Sequence, residues 1–348
     1  MITGRAAPTH RWAALAIVLA AIIGCAAILA AAGFNLQRAA AALLSGSLGS
    51  WYALTSGTFL RATPLILTGL AVAIAFRAGV FNIGAEGQFL IGAAVAATVA
   101  LSLPSLPTIA LVPAVLIGGV VGGAAWAWIA AEMRLRFHVL EVISTIMLNF
   151  IAAYLISYLV RGPLQESTHV YPQTSAIAAA AHLPRFGSAS RLHIGFGIAV
   201  ASCVAAWWFI RHTAAGFRLR VVGTSPTAAR SAGLIDVDAV TLRAFLVSGG
   251  LAGLAGAIEV CGVTYALYEN ISPGYGYTAI AVALVARLDA AAVIAAGILF
   301  GALEAGAAAM QRDAGVPSVV VSIVEAAVIL ALVALQALQA RGTTVIGE

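Results

Sequence analysis

Three polar side chains in an apolar stretch are the residues of this sequence best suited to contact a solute. Asn82, Glu86 and Gln88 lie within residues 77–88, a run that also holds three glycines. Amide and carboxylate groups can hydrogen-bond to a polar ligand, and glycines let the backbone approach it closely. In an apolar phase such groups are costly unless protein or a water-filled path satisfies them. The segment is therefore a candidate substrate contact.

Two interpretations of residues 77–88 stay open at this stage. The apolar pieces on either side, 63–76 and 89–101, are each shorter than the roughly twenty residues of a usual membrane span. This pattern is typical of a broken helix that presents backbone and polar groups to a substrate. The alternative is a short cytoplasmic loop between two tilted spans, with Arg77 and Glu86 as an interfacial ion pair.

A second interruption of the same kind lies in the second half of the chain. Residues 269–277 are rich in glycine, proline and polar groups, and the apolar piece that follows, 279–286, is too short to span a bilayer. Two such interruptions in corresponding halves indicate a transporter's substrate path. Asn149, inside another apolar segment, could also face this path. The alternative for Asn149 is a hydrogen bond to a neighbouring helix.

A third polar segment has the features of a short capped helix. Ser225 is a good N-cap, Pro226 suits the first helical position, and Gly233 can take the left-handed conformation past the end. The helix between them is roughly 11 Å long, far short of a bilayer. Many arginines surround it, which is typical of the cytoplasmic side. The segment suits docking onto another protein; the alternative is an ordered loop with orienting charges.

Composition places the chain among polytopic helical membrane proteins of the all-α class. Hydrophobic residues make up 62% of the sequence, charged residues 9%, and the mean hydropathy is +1.03. The net charge of +5 reflects arginines in loops, which orient membrane spans and do not indicate nucleic-acid binding. The sequence contains no lysine, which excludes a Walker A phosphate loop. We predict that the chain is not an enzyme.

The polar segments must be positioned by about ten membrane passes, or eight to nine if the broken pieces are re-entrant. The predicted spans are 12–32, 63–76, 89–101, 106–129, 142–159, 193–210, 240–262, 279–286, 291–310 and 318–338. They form a single transmembrane domain over residues 1–348 with two pseudo-repeated halves and both termini in the cytoplasm. The predicted divisions are a first half at 12–160, an external loop at 161–191, a cytoplasmic segment with the short capped helix at 212–239 and a second half at 240–338.

Several other residues could carry chemistry but have plainer explanations. The histidines of the external loop lack metal-ligand spacing, and a short surface helix is expected at 175–182. Glu304 and Glu325 are lone carboxylates in the last spans, suited to an ion path or to helix packing. The three cysteines form no metal or redox pattern; they are Cys25, Cys203 and Cys261.

Four segments together resemble the permease subunits of bacterial nucleoside ABC importers, a group related to the ribose and branched-chain amino acid permeases. The segments are 76–88, 141–149, 223–233 and 271–284. The resemblance extends from about residue 60 to residue 338. The sequence departs from the family at 285–289, where a glycine-rich continuation is expected and Val-Ala-Arg-Leu-Asp occurs.

The resemblance implies roles for two sets of residues. In the translocation path, amides and carboxylates could meet ribose hydroxyls and tyrosines could stack on a base; the candidates are Asn82, Glu86, Gln88, Asn149, Tyr275 and Tyr277. The alternative for each is a polar contact between helices. Segment 223–233 resembles the coupling helix that docks in a groove of the ATPase; its candidates are Gly223, Thr224, Ser225, Pro226, Ala228, Ala229, Arg230 and Gly233.

The resemblance also implies partners and a location. The expected partners are an ATP-binding subunit, a second permease subunit, an external substrate-binding lipoprotein and the lipid bilayer, in a bacterial inner membrane. A heterodimer of permeases is expected, with a homodimer as the alternative. The chain needs no cofactor of its own, since ATP and Mg²⁺ belong to the partner. One alternative cargo is a simple sugar or another small polar metabolite. A channel or an ion-coupled secondary transporter that uses Glu86, Glu304 or Glu325 is a different class of alternative.

Overall fold

A computed structural model describes residues 23, 24, 26, 27, 29–187, 190–233, 235–317, 323 and 326. In these ranges every regular element longer than an isolated bridge is helical, and seven helices are long and apolar enough to cross a membrane. The predicted all-α polytopic membrane class is confirmed. Most of the predicted spans 12–32 and 318–338, together with Cys25 and Glu325, lie outside the described residues. The total of about ten passes therefore stays a prediction.

Eleven α-helices are labelled in chain order within the described ranges. They are α1 Leu36–Ser47, α2 Leu60–Arg77, α3 Ala85–Ser102, α4 Thr108–Phe137, α5 Glu141–Arg161, α6 Gly195–His212, α7 Ala214–Thr224, α8 Pro226–Ser231, α9 Val237–Glu259, α10 Tyr275–Val285 and α11 Ala292–Ala314. π-Helical turns precede α2 at Ala53–Phe59 and continue α9 at Val260–Thr264.

The first interrupted span is longer than predicted. The helix begins at Ala53, ten residues before the expected piece, so Ala53–Arg77 is a continuous 25-residue span. The prediction that both flanking pieces are short was wrong for this one. The polar residues at its start are tolerated because their hydroxyls bond to backbone carbonyls: Thr55 to Trp51 at 2.8 Å and Thr58 to Ser47 at 2.7 Å.

The loop predicted to be external lacks the surface helix expected at 175–182. Only a single 3₁₀ turn, Ala179–Ala181, forms there. The backbone instead runs extended along the end of α9 and bonds to it: Ile177 donates its amide to the carbonyl of Tyr265 at 2.9 Å, and Leu183 donates to Cys261 at 2.9 Å. These long-range bonds satisfy the amides that a local helix would otherwise use.

The described residues form two compact units, which are considered separately. One unit runs up to Thr58 and resumes at Ala302, and its core packs α1 against the last turns of α11 through Ala39, Ala42 and Met310. The other unit, Phe59–Gly301, contains all the path and coupling candidates, whereas Glu304 belongs to the first unit.

Glycines allow close helix packing at the centre of the second unit. A Cβ at Gly253 of α9 would collide with the carbonyl oxygen of Gly119 of α4, and a Cβ at Gly256 would collide with that of Phe89 of α3. These glycines therefore let the backbone of α9 approach those of α3 and α4 directly. This packing holds α3, α4 and α9 directly against one another.

Candidate functional site

The interrupted segment is a turn between two helices. Helix α2 ends at Arg77 and α3 begins at Ala85. The chain leaves α2 through Gly79, whose φ of 74° lies in the left-handed region that glycine adopts at little cost. The seven residues between the helices, 78–84, are called the joint.

An amide pair closes the joint from within. The side-chain amide of Asn82 donates to Oε1 of Gln88 at 3.0 Å and to the hydroxyl of Ser248 on α9 at 2.9 Å. In return, the Asn82 oxygen accepts from the Gly84 backbone amide at 2.9 Å and from Gln88 Nε2 at 3.0 Å. Both side chains are buried, so this reciprocal pairing satisfies groups that would otherwise be costly.

Asn149 holds the joint from the side of α5. Its oxygen accepts from the backbone amide of Gly87 at 2.8 Å, and its amide donates to the carbonyl of Ile83 at 3.0 Å. The hydroxyl of Thr145, one turn earlier, accepts from the amide of Ile83 at 3.3 Å. In this conformation Asn149 therefore hydrogen-bonds to neighbouring elements, as its alternative interpretation expects.

Glu86 and Arg77 contact opposite ends of the short helix α10. The Glu86 carboxylate accepts the amide of Gly276 at 2.7 Å and also bonds to the side chain of Ser272. Arg77 donates from Nη1 to the carbonyl of Leu288, just past the other end, at 3.0 Å. The ion pair between Arg77 and Glu86 that the loop interpretation required was therefore a wrong prediction, since both side chains are used on α10. An acidic side chain at the N-terminus of α10 and a basic one near its C-terminus both interact favourably with the helix dipole.

The two candidate tyrosines differ in environment. Tyr275 is buried, and its ring packs edge-on against Phe89 with the centroids 5.8 Å apart. Tyr277 is 46% exposed. The structure thus brings Asn82, Glu86, Gln88, Asn149 and Tyr275 together as buried groups around the joint, and it places Tyr277 at an accessible surface.

The capped helix forms as predicted. The Ser225 hydroxyl accepts the amide of Ala228 at 3.2 Å, Pro226 opens α8, and Gly233 has a φ of 69°. Ala229 is buried against Val222 and Val237. The remaining face of α8 is exposed and available for contact with another molecule.

Two further coupling candidates make local contacts. Arg230 forms an ion pair with Asp238 at 2.6 Å, with both side chains largely exposed. Thr224 ends α7 and bonds back to the carbonyl of Arg220 at 2.9 Å. A partly polar groove of about 350 Å³ adjoins α8, and its lining includes Pro226, Arg230 and Glu141.

A backbone contact joins the end of α7, which leads into α8, to the start of the joint. A Cβ at Gly223, two residues before Ser225, would collide with the carbonyl oxygen of Arg77, and the Gly223 backbone also lies against Gly79. Only glycine permits this approach. Sequence reasoning placed Gly223 in the coupling segment but missed its contact with residues 77–79, which are far away in the chain.

Other residues of the site were also missed from sequence. Ser248 was not among the sequence candidates, yet its hydroxyl completes the Asn82 pair. Ser272 was part of the second interruption, but its hydroxyl caps α10 by accepting from the amide of Tyr275 at 3.0 Å. The serine preceding a Pro-Gly turn was the available signal for this cap.

A multi-span helical protein with a buried polar joint and an exposed capped helix belongs by its architecture to the membrane transport proteins. Residues 54–333 match the family described as branched-chain amino acid transport system / permease component, and the chain belongs to this family. It is a permease component of a transport system and, as predicted, not an enzyme.

Named relatives come from bacteria and an archaeon. The guanosine ABC transporter permease protein NupP of Bacillus subtilis strain 168 is 38% identical over 90% of this chain and 91% of its own length. The nucleoside ABC transporter permease protein NupB of Lactococcus lactis subsp. cremoris is 33% identical over 90% and 88%. The glucose ABC transporter permease protein TsgB13 of Haloferax volcanii is 40% identical over 82% and 77%. The resemblance found in the sequence is confirmed.

Proposed function

We propose that this chain is the permease subunit of an ATP-driven nucleoside importer and that α8 docks on a separate ATP-binding subunit. The observation that carries the proposal is the contact of Gly223, in the helix that leads into α8, with Arg77 and with Gly79 at the start of the joint. Without such a connection, the alternative interpretation of this segment, an ordered surface segment with orienting charges, would explain it equally well.

The contacts define a route for coupling. Closure of the ATP-binding subunits displaces α8, and the rigid end of α7 transmits this motion to Arg77 through Gly223. The joint then moves, together with Asn82 at its centre. Glu86 passes the motion to the N-terminus of α10 through Gly276. Because each step is a direct contact, a small shift at α8 reaches α10. It thereby favours one of two arrangements of the helices, outward-facing or inward-facing.

The exposure of each path candidate determines when it can contact the cargo. Tyr277 is accessible in this conformation and can stack on a base. Asn82, Glu86, Gln88 and Asn149 are engaged with protein groups, so in this proposal they meet ribose hydroxyls only after the joint opens. Tyr275 borders the path where α10 begins.

Nucleosides are the proposed cargo because two of the named relatives are a guanosine and a nucleoside permease protein. The glucose permease relative, at 40% identity, favours a simple sugar as the second candidate cargo. An ion-coupled secondary transporter finds less support, since Glu86 is bonded to α10 and Glu304 also has an interaction partner.

The proposed assembly has two permeases, two ATP-binding subunits and an external binding lipoprotein in the bacterial inner membrane. The second permease is proposed to be a different chain, and both termini of this chain to lie in the cytoplasm on the side of α8. ATP and Mg²⁺ are proposed to bind only to the partner subunits.

Purification with the products of adjacent genes tests this function. The full chain, extracted in mild detergent and analysed by mass spectrometry, should retain an ATP-binding subunit in stoichiometric amount. In liposomes the complex should take up radiolabelled guanosine or adenosine only with ATP. Uptake of glucose but not nucleosides would overturn the cargo alone, whereas uptake by the isolated chain without ATP would overturn the importer.

A further inference from the structure

An apolar cleft whose lining includes two arginines lies between four helices. Its volume is about 530 Å³, and its walls come from α2, α6, α7 and α9. The representative wall residues are Ile74, Phe209, Leu219, Val247 and Leu251. The hydroxyl of Ser202, a polar group in the wall, is already bonded to the carbonyl of Ile198 at 2.8 Å. The walls therefore suit a hydrocarbon and offer little to a polar solute.

The charged groups of the cleft are two arginines on different helices. Arg218 on α7 and Arg243 on α9 both line it, and both are exposed. Within the described ranges neither forms an ion pair or a hydrogen bond, whereas Arg134, Arg211 and Arg230 each pair with a carboxylate. Two unpaired guanidinium groups beside one cleft complement a single anionic group, and phosphate suits their planar donor geometry.

The cleft has the polarity of a phospholipid. Arg243 lies near the start of α9, and Leu251 is eight residues further along the same helix, or about 12 Å. A lipid whose anionic group is bound at the arginines could thus extend its hydrocarbon part along the apolar walls. The length of wall along α9 matches part of an acyl chain. The arginine-rich end of α6 and α7 is the side predicted to face the cytoplasm, where anionic headgroups attract basic residues.

We propose that this cleft binds an anionic glycerophospholipid, with its phosphate between Arg218 and Arg243 and one acyl chain along α6 and α9. The bound lipid joins α6, α7 and α9 and so supports the helix that leads into α8. This site does not depend on the identity of the cargo or on the docking of α8.

Lipid retention by the assembled complex tests the site. The complex, equilibrated in vesicles of phosphatidylcholine and phosphatidylglycerol, is extracted, and its retained lipids are quantified by mass spectrometry. We expect phosphatidylglycerol to be enriched, with about fivefold weaker retention for each of Arg218→Gln and Arg243→Gln. Arg220→Gln is the matched control, because Arg220 lies on the same helix as Arg218 and does not line the cleft. It should retain the wild-type amount.

A second pair of variants tests the apolar part without changing charge. Ala206→Phe fills the cleft and should lower phosphatidylglycerol retention, whereas Ala201→Phe, at an exposed position of the same helix, should not. Equal retention of phosphatidylcholine and phosphatidylglycerol, or equal loss in Arg220→Gln, would overturn the proposal. Retention by the isolated chain that disappears in the complex would also overturn it, since a protein subunit would then occupy the cleft.

Discussion

The Glu86 carboxylate accepts the backbone amide of Gly276 at 2.7 Å, which ties the start of α3 to the start of α10. Gly276 has no room for a side chain, because a Cβ there would collide with the backbone of Glu86. The two interruptions found in the sequence are therefore in direct contact. The joint and α10 must move together or separate at this bond.

Removal of the Glu86 carboxylate should destabilise the protein. In Glu86→Ala the backbone amide of Gly276 loses its acceptor, at a cost of about 1–3 kcal/mol. Glu86→Gln keeps an acceptor and should lose less. Thermal unfolding in detergent, followed by size-exclusion chromatography, measures both. Glu132→Ala is the control, since Glu132 pairs with the exposed Arg136, and such pairs contribute little. Equal midpoints for Glu86→Ala and Glu132→Ala would contradict the role of Glu86.

A side chain at Gly223 should uncouple ATP hydrolysis from transport. Gly223→Val forces the end of α7 away from Arg77, while α8 itself is unchanged. We expect the complex to assemble and to hydrolyse ATP, with strongly reduced nucleoside uptake into liposomes. Gly197→Val on α6 is the control, because a Cβ at Gly197 meets nothing within 4 Å. Wild-type uptake by an assembled Gly223→Val complex would exclude this contact as the coupling route.

Charge exchange separates the two roles open to Arg230. Arg230→Glu should uncouple the complex by reversing charge on the proposed docking face, and it also places two carboxylates together at Asp238. The double variant Arg230→Glu/Asp238→Arg restores the local ion pair, worth under about 1 kcal/mol at this exposed site. If Arg230 acts on the ATP-binding subunit, the double variant stays uncoupled in an ATP-driven uptake assay. Recovery of transport would show that only the local pair matters.

Much of the site was predictable where the determinants are local. Ser225, Pro226 and Gly233 specify the start and end of α8 within nine residues, and the structure bears out each one. The contact between Gly223 and Arg77 joins residues far apart in sequence, and no local pattern encodes it. The partner of Glu86 was missed for the same reason. The length of Ala53–Arg77 was missed because threonines, which usually mark a helix end, here bond to the backbone within the membrane span.

Tyr277 should affect transport without affecting stability. Its ring is exposed, so Tyr277→Ala should leave the unfolding midpoint unchanged and reduce uptake of nucleosides. Loss of base stacking costs about 1–3 kcal/mol, or roughly five- to 150-fold in affinity. Tyr277→Phe keeps the ring and should transport normally. Uptake by Tyr277→Ala equal to that of the wild type would remove this residue from the path.

His193, a buried side chain two residues before the start of α6, should make stability depend on pH. Burial, together with the charge of Arg185, lowers the pKa of His193 from 6.5 to about 4. Between these pKa values the unfolded chain binds a proton that the folded chain does not, so stability falls as the pH drops from about 6.5 towards 4. His193→Gln should flatten the dependence of the unfolding midpoint over this range. An equal slope in both proteins would contradict the buried, neutral state of His193.

Photo-crosslinking from α8 tests the central claim most directly. Thr227 is exposed on this helix, and benzoylphenylalanine in its place samples whatever docks there. In the assembled complex we predict a covalent adduct with the mass of the ATP-binding subunit. The same probe at the exposed Phe186, in the loop predicted to be external, should give no such adduct. Absence of the adduct from position 227, or its equal formation from position 186, would contradict the assignment of α8 as the coupling helix.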